Sequence, residues 1–231
     1  MGLLSDIDLV RELRRGPPPR AAALRPRLAA LRDEALALVQ SEALATPRAI
    51  WRFAALDAAL DAAPDAARTL RVQGRTLDAP RLIPASGRLT AVACAVCTLG
   101  PALERRVALL FAGRRAALAV ALDGVGNELL FALSRRTQDR MLAEARRQRL
   151  GIAGELCAGD PGLALQAQRT VLELAGAAAI GVELTPALMM HPTKSRSVLQ
   201  GVGVDLPRQS WSRCGECRSR ARCSLVAGAA A

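Results

Sequence analysis

The segment Ala158–Val204 reads AGDPGLALQAQRTVLELAGAAAIGVELTPALMMHPTKSRSVLQGVGV. It opens on Asp160-Pro161-Gly162, a turn signal in which Pro presets φ and Gly supplies a positive φ. Leu165, Val171, Leu172 and Leu174, set around Gln166, Gln168 and Arg169, predict a helix, and Gly176 suits its stop. Two extended runs, Ile180–Thr185 and Val198–Val204, then flank Leu188–Ser197. That last piece holds the only histidine, His191, and the only lysine, Lys194; every other one of the 32 Lys and Arg residues is Arg. A lone Lys between a His and two serines has two readings. It is the polar end of a hairpin, or it belongs to a site, because sites concentrate in loops. As a loop residue, Lys194 is expected to contribute little to folding.

A chain of 231 residues can bury one sizeable core. Aromatics are only 2% and Tyr is absent, so Leu, Val and Ala must build that core, with Trp51, Trp211 and three Phe as large anchors. The net charge of +11 invites a nucleic-acid reading. The arginines are spread along the chain without aromatic residues for base stacking, and no zinc-finger or helix-turn-helix signature is present. No nucleic-acid partner is therefore expected, and a basic face suits an acidic protein. Asp6, Asp8 and Glu12 interrupt any secretory signal, and the longest apolar candidate, Val107–Leu133, carries Arg114, Arg115, Asp123 and Glu128. The expectation is a cytoplasmic protein with no membrane partner, whose six cysteines serve as thiols or metal ligands.

Along the chain, residues 1–45 read as a helical extension: a short helix ended by Gly16 and Pro17-Pro18-Pro19, then a longer one from Arg20 to about Ala45. Phe53–Leu60 has the composition of a helix, and Leu70–Leu77 that of a strand pair turning at Gly74. Leu89–Cys97 is a buried strand handing over through Thr98-Leu99-Gly100 to a helix near Pro101. Ala116–Leu150 predicts one long helix or two in line, apolar to Leu133 and solvated beyond. Gly124 and Gly126 weaken that helix and suggest close approach of another backbone. No G-x-G-x-x-G or P-loop is present, so neither a dinucleotide nor a nucleoside triphosphate is implied. With one His, no Ser-His-Asp set is compelling.

The cysteines carry the second signal. Cys214-Gly-Glu-Cys217 followed by Cys223, in a polar Arg-rich tail from residue 206 to 231, has metal-ligand spacing. Cys94-Ala-Val-Cys97 is a second C-x2-C pair. Zinc or an iron–sulfur cluster would need a fourth ligand, and Cys94, Cys97, Cys157 and His191 are the candidates. Cys94 and Cys97 read more readily as small apolar residues of a buried strand than as ligands.

The order Pro161-Gly162, Ile180–Thr185 and Met189–Ser197 resembles the activation domain of cobalamin-dependent methionine synthase, above all the small stand-alone proteins of that family. Thr185, Met189 or Met190, Pro192, Ser195 and Ser197 fall in register with it, whereas Val198 stands at a Gly position. Thr98-Leu99-Gly100 and Leu103-Glu104 match a further step, so the resemblance spans roughly 46–205. It implies an α+β fold: a curved, largely antiparallel sheet with long helices packed on it. It also implies a cobalamin-facing set of Glu128, Asp160, Pro161, Gly162, His191, Lys194, Ser195 and Ser197. The implied function is reactivation of a cobalamin-dependent methyltransferase, a split methionine synthase, by reductive methylation of cob(II)alamin. Its partners would be a cobalamin-binding protein and a reductase or flavodoxin-like electron donor. The family holds S-adenosylmethionine with an Arg, a Tyr and a Glu at positions that fall here on Ala158, Leu163 and Asn127, so binding is expected to be weak unless Glu128, Asp160 or Arg169 substitutes. The alternative is a metal or iron–sulfur electron-transfer or scaffold protein with the same fold that has lost S-adenosylmethionine.

If the tail triplet holds metal, replacing Cys214, Cys217 and Cys223 together with Ser abolishes any metal found by elemental analysis and lowers rescue of the corrinoid partner. Full rescue with no metal in the parent protein would contradict this.

Overall fold

The computed structural model describes residues 1–5, 7–15, 26–61 and 69–207. Its centre is three long strands, β2 (Arg48–Asp61), β5 (Arg88–Thr98) and β9 (Ser195–Val204). They pair antiparallel in the order β2-β5-β9. On the far side of β9 lies β6 (Gly151–Leu156). The outer edge of β2 is shared by β1 (Gly2–Leu4) and the β3–β4 hairpin (Thr69–Val72 and Arg75–Asp78). The sheet is open, with β4 and β6 at its ends. Register shifts at Ala55/Leu60, Leu89/Ala91 and Ala153/Leu156 bend it, as bulges do.

Helices cover both faces, which explains why β5 is apolar without alternation: every residue from Ala91 to Thr98 is buried. On one face lies α5 (Ala167–Ala175), whose Val171, Leu172 and Leu174 meet Ile50, Val92, Cys94 and Leu199. Gly176 ends α5 with φ 77°, as its position predicts. The other face carries α4 (Ala116–Arg147), a single helix of 32 residues. Against α4 pack α1 (Leu9–Arg15), α2 (Pro26–Ser41) and α3 (Ala102–Ala112). The Trp51 indole N–H donates to Glu144 Oε2 at 2.8 Å and ties β2 to the far half of α4. Met141 and Ala145 are fully buried there, so the Arg-rich half of the helix is solvated on one face only. By length and composition α4 has a window fit to cross a membrane, but half of that window is buried inside the protein.

The structure corrects several expectations. Phe53–Leu60 is part of β2, not a helix. Its alanines favour helix, but the two-faced apolar edge of β5 requires a ladder partner, and tertiary pairing overrides propensity. Ile180–Thr185 is extended only at β7 (Glu183–Leu184), which pairs with β8 (Met190–His191); Ala177–Ile180 is a 3-10 turn. The region read as an extension is built in: β1 joins the sheet, and Val10, Ala35 and Val39 share a core with Leu118 and Leu122. Gly16, the Pro17–Pro19 run and the tail cysteines lie outside the described residues. Among the described residues no backbone approaches Gly124, where nothing lies within 4 Å of an added Cβ, whereas at Gly126 a Cβ would sit 2.9 Å from Leu103 Cδ2 and 3.2 Å from Lys194 Cε.

That contrast is measurable. Gly124→Ala raises stability by about 0.5–1 kcal/mol, the propensity gain alone, while Gly126→Ala lowers it by about 1–2 kcal/mol through overpacking. Urea unfolding of both variants checks the opposite signs.

Candidate functional site

The start of β9 concentrates the polar chemistry. Strand periodicity sends alternate side chains to opposite helical layers, and each finds a partner. Toward α5, the Ser195 hydroxyl donates to Thr98 Oγ1 at 2.9 Å, and the Ser197 hydroxyl donates to Gln168 Oε1 at 3.2 Å. Thr98 Oγ1 also accepts from the Gly100 amide at 3.1 Å, fixing the turn into α3. Toward α4, Lys194 Nζ donates to Asn127 Oδ1 at 2.8 Å and lies 2.7 Å from Asp123 Oδ1. Arg196 pairs with Glu155 of β6 and lies over the Phe131 ring at 4.8 Å.

Just before β9, Glu104 in the first turn of α3 gathers the loop. Its Oε2 accepts from the Thr193 amide at 2.6 Å and from the Thr193 hydroxyl. Its Oε1 lies 3.5 Å from His191 Nδ1. His191 is exposed, as is Met189 beside it on the β7–β8 hairpin. Lys194 is not a loop residue at the surface: only 7% of it is exposed, and its carbonyl accepts from the Leu99 amide at 2.9 Å. The expectation that it contributes little to folding is therefore corrected, since its long stem is packed against α4 at Gly126 and covered, while the acceptors Asp123 and Asn127 at its tip stay open to solvent.

The other expected residues are placed as follows. Asp160 closes its own turn, with Oδ2 accepting from the Cys157 amide at 3.0 Å. Gly162 has φ 90°, and a Cβ there would meet Arg81 Cδ at 2.8 Å, so both conformation and space require glycine. Glu128 pairs with Arg32 of α2 at 2.6 Å. Cys94 and Cys97 cannot share a metal from a tight turn. They sit three apart in β5, so Cys94 packs with the α5-side core and Cys97 with the α4-side core. Burial pushes the Cys94 thiol up to about 12. Burial also raises Cys97 to about 11 against the lowering pull of Thr137 and Arg196. Among the described residues, no group of three or more metal-ligating side chains occurs. Sequence reasoning missed Asp123, Gln168 and Glu155. The i, i+4 spacing of Asp123 and Asn127 within an apolar helix was the available signal.

With this geometry the chain has the reactivation-domain fold of cobalamin-dependent methionine synthase. It is similar to the solved structure of the MetH reactivation domain bound to AdoHcy, with a TM-score of 0.61, 14% identity, and coverage of 92% of this chain and 81% of that one. No family model and no curated protein matches the sequence. The residues present do not fit S-adenosylmethionine. Leu163 is a core residue, Asn127 is taken by Lys194, Glu128 by Arg32, and Asp160 by its own turn, while Arg169 is exposed on α5.

Two thiols this deeply buried do not react at neutral pH. In a variant with Cys214, Cys217 and Cys223 changed to Ser, a disulfide reagent titrates no more than Cys157 in the folded chain and also Cys94 and Cys97 after denaturation. Their raised folded values have a second consequence: stability is full below the ordinary thiol value of 9.0 and falls as pH rises from there through about 11 to 12. Unfolding curves across that range check the sign.

Proposed function

We propose that the chain is a reactivation partner of a cobalamin-dependent methyltransferase, a methionine synthase whose remaining domains are separate chains. The observation that carries this reading is the likeness to the MetH reactivation domain across 92% of the chain. Oxidised cob(II)alamin is returned to turnover by one electron, which gives cob(I)alamin, and by a methyl cation taken from a sulfonium donor held elsewhere in the system, which leaves as its thioether. Because the residues here do not fit the sulfonium donor, the chain's part in that event is docking: it presents a surface to the cobalamin-binding partner while a separate reductase or flavodoxin-like protein supplies the electron. Exposed His191 and Met189 form the contact, with the Asp160-Pro161-Gly162 turn beside α5 as its second element. Glu104 holds the loop in shape from beneath through Thr193, and Ser195 and Ser197 pin the start of β9.

The reading is tested with a corrinoid methionine synthase that lacks a reactivation domain, oxidised to cob(II)alamin and given a low-potential electron donor and a methyl donor. Adding this chain restores methylcobalamin, read by its absorbance, and methionine formation. No recovery above the donor-only control would overturn the proposal. His191→Ala leaves the melting curve within about 0.5 kcal/mol, as for an exposed side chain. It slows recovery about tenfold, as loss of an interface contact of about 1–2 kcal/mol would. If Glu104→Gln has the same effect, a folded loop, and not a single contact atom, is what the partner reads.

A further inference from the structure

We propose that Asp123 and Asn127 form a binding site for an alkylammonium group, and that Lys194 of the same chain is its resident occupant. The two acceptors are four residues apart on one face of α4, and both converge on Nζ, at 2.7 Å and 2.8 Å. The stem has a prepared path: Gly126 leaves the space that a Cβ would take, 3.2 Å from Lys194 Cε. The occupant is anchored at its own backbone, where the Leu99 amide donates to the Lys194 carbonyl, and by the neighbouring Ser195–Thr98 hydroxyl pair. Enclosure is one-sided. The Lys194 side chain is 9% exposed, but Asp123 is 48% exposed, so the charged end of the site opens to solvent while the stem is covered.

The residue choice fits the same account. This chain uses Arg at every other cationic position. Asp123 and Asn127 meet a single nitrogen, which a compact ammonium supplies with three rotatable donors and a planar guanidinium, larger and with its donors fixed in a fork, does not. A cation arriving from outside therefore meets a filled site. The inference goes beyond the reactivation reading and does not need it, because neither test below involves a corrinoid.

Lys194→Ala removes the equivalent of n-propylammonium, which is the probe. In thermal unfolding of the full chain, K194A melts below the parent. It regains about 3 °C at a probe concentration ten times its Kd, whereas sodium and tetramethylammonium chloride at equal ionic strength do nothing and the parent does not respond. The double variant K194A/D123N loses the rescue. A response of K194A no larger than the parent's, or undiminished in the double variant, would overturn the proposal. A second measurement holds even if K194A does not fold. Lys194 is the only side-chain amine, so an amine-reactive ester followed by mass spectrometry reports on it alone, apart from the amino terminus. Labelling in the folded parent is about tenfold slower than in the denatured chain, and D123N accelerates it. Equal rates in the folded and denatured parent would sink the assignment.

Discussion

A strand buried on both faces cannot leave a polar side chain unpaired, and that constraint organises this protein around β9. Lys194, just before it, and its first residues, Ser195 to Ser197, are polar, yet they run between two helical layers. Period two sends Lys194 and Arg196 toward α4 and Ser195 and Ser197 toward Thr98 and α5. Each then needs its own acceptor at a defined place: Asp123 and Asn127, Glu155, Thr98, Gln168. Leaving one of these buried groups unsatisfied costs about 1–3 kcal/mol. The pairs therefore specify the register of β9 against β5 and the position of α4 along the sheet. A slip of one residue would face every one of them the wrong way.

Much of this frame was legible in the sequence, and the failures have physical causes. β5 announced itself by an unbroken apolar run, the β3–β4 hairpin by Gly74, and the end of α5 by Gly176, because each signal is local. Phe53–Leu60 carries no clear period, since Ala serves helix and strand alike, and only the demand of β5 for a partner decides it. The Cys94/Cys97 spacing suits a metal pair only in a tight turn; in the buried strand that the apolar run predicts, the same spacing sends the two sulfurs to opposite faces. Lys194 looked solvated because lysines nearly always are. Its burial depends on two residues of α4 that lie 71 and 67 positions away, and no local pattern reports such a partnership.

The fold and the site also divide the proposed role between them. The architecture matches the reactivation domain, while Asn127 pairs with Lys194 and Glu128 with Arg32. The His191 and Met189 hairpin, held by Glu104, is directed outward.

The open sheet has a consequence for how copies of this protein coexist. An unclosed sheet exposes backbone donors and acceptors at its margins, and those invite fusion with a neighbouring molecule. Here one terminal strand, β4, has only four residues and is bounded by Arg75 and Asp78. The opposite one, β6, begins with Gly151 and loses its regular pairing between Ala153 and Leu156. Charge and brevity guard one margin and irregularity the other, so the long apolar strands that make the core lie at least one strand in from either margin. Crowding many copies together therefore favours solution over strand-to-strand aggregation.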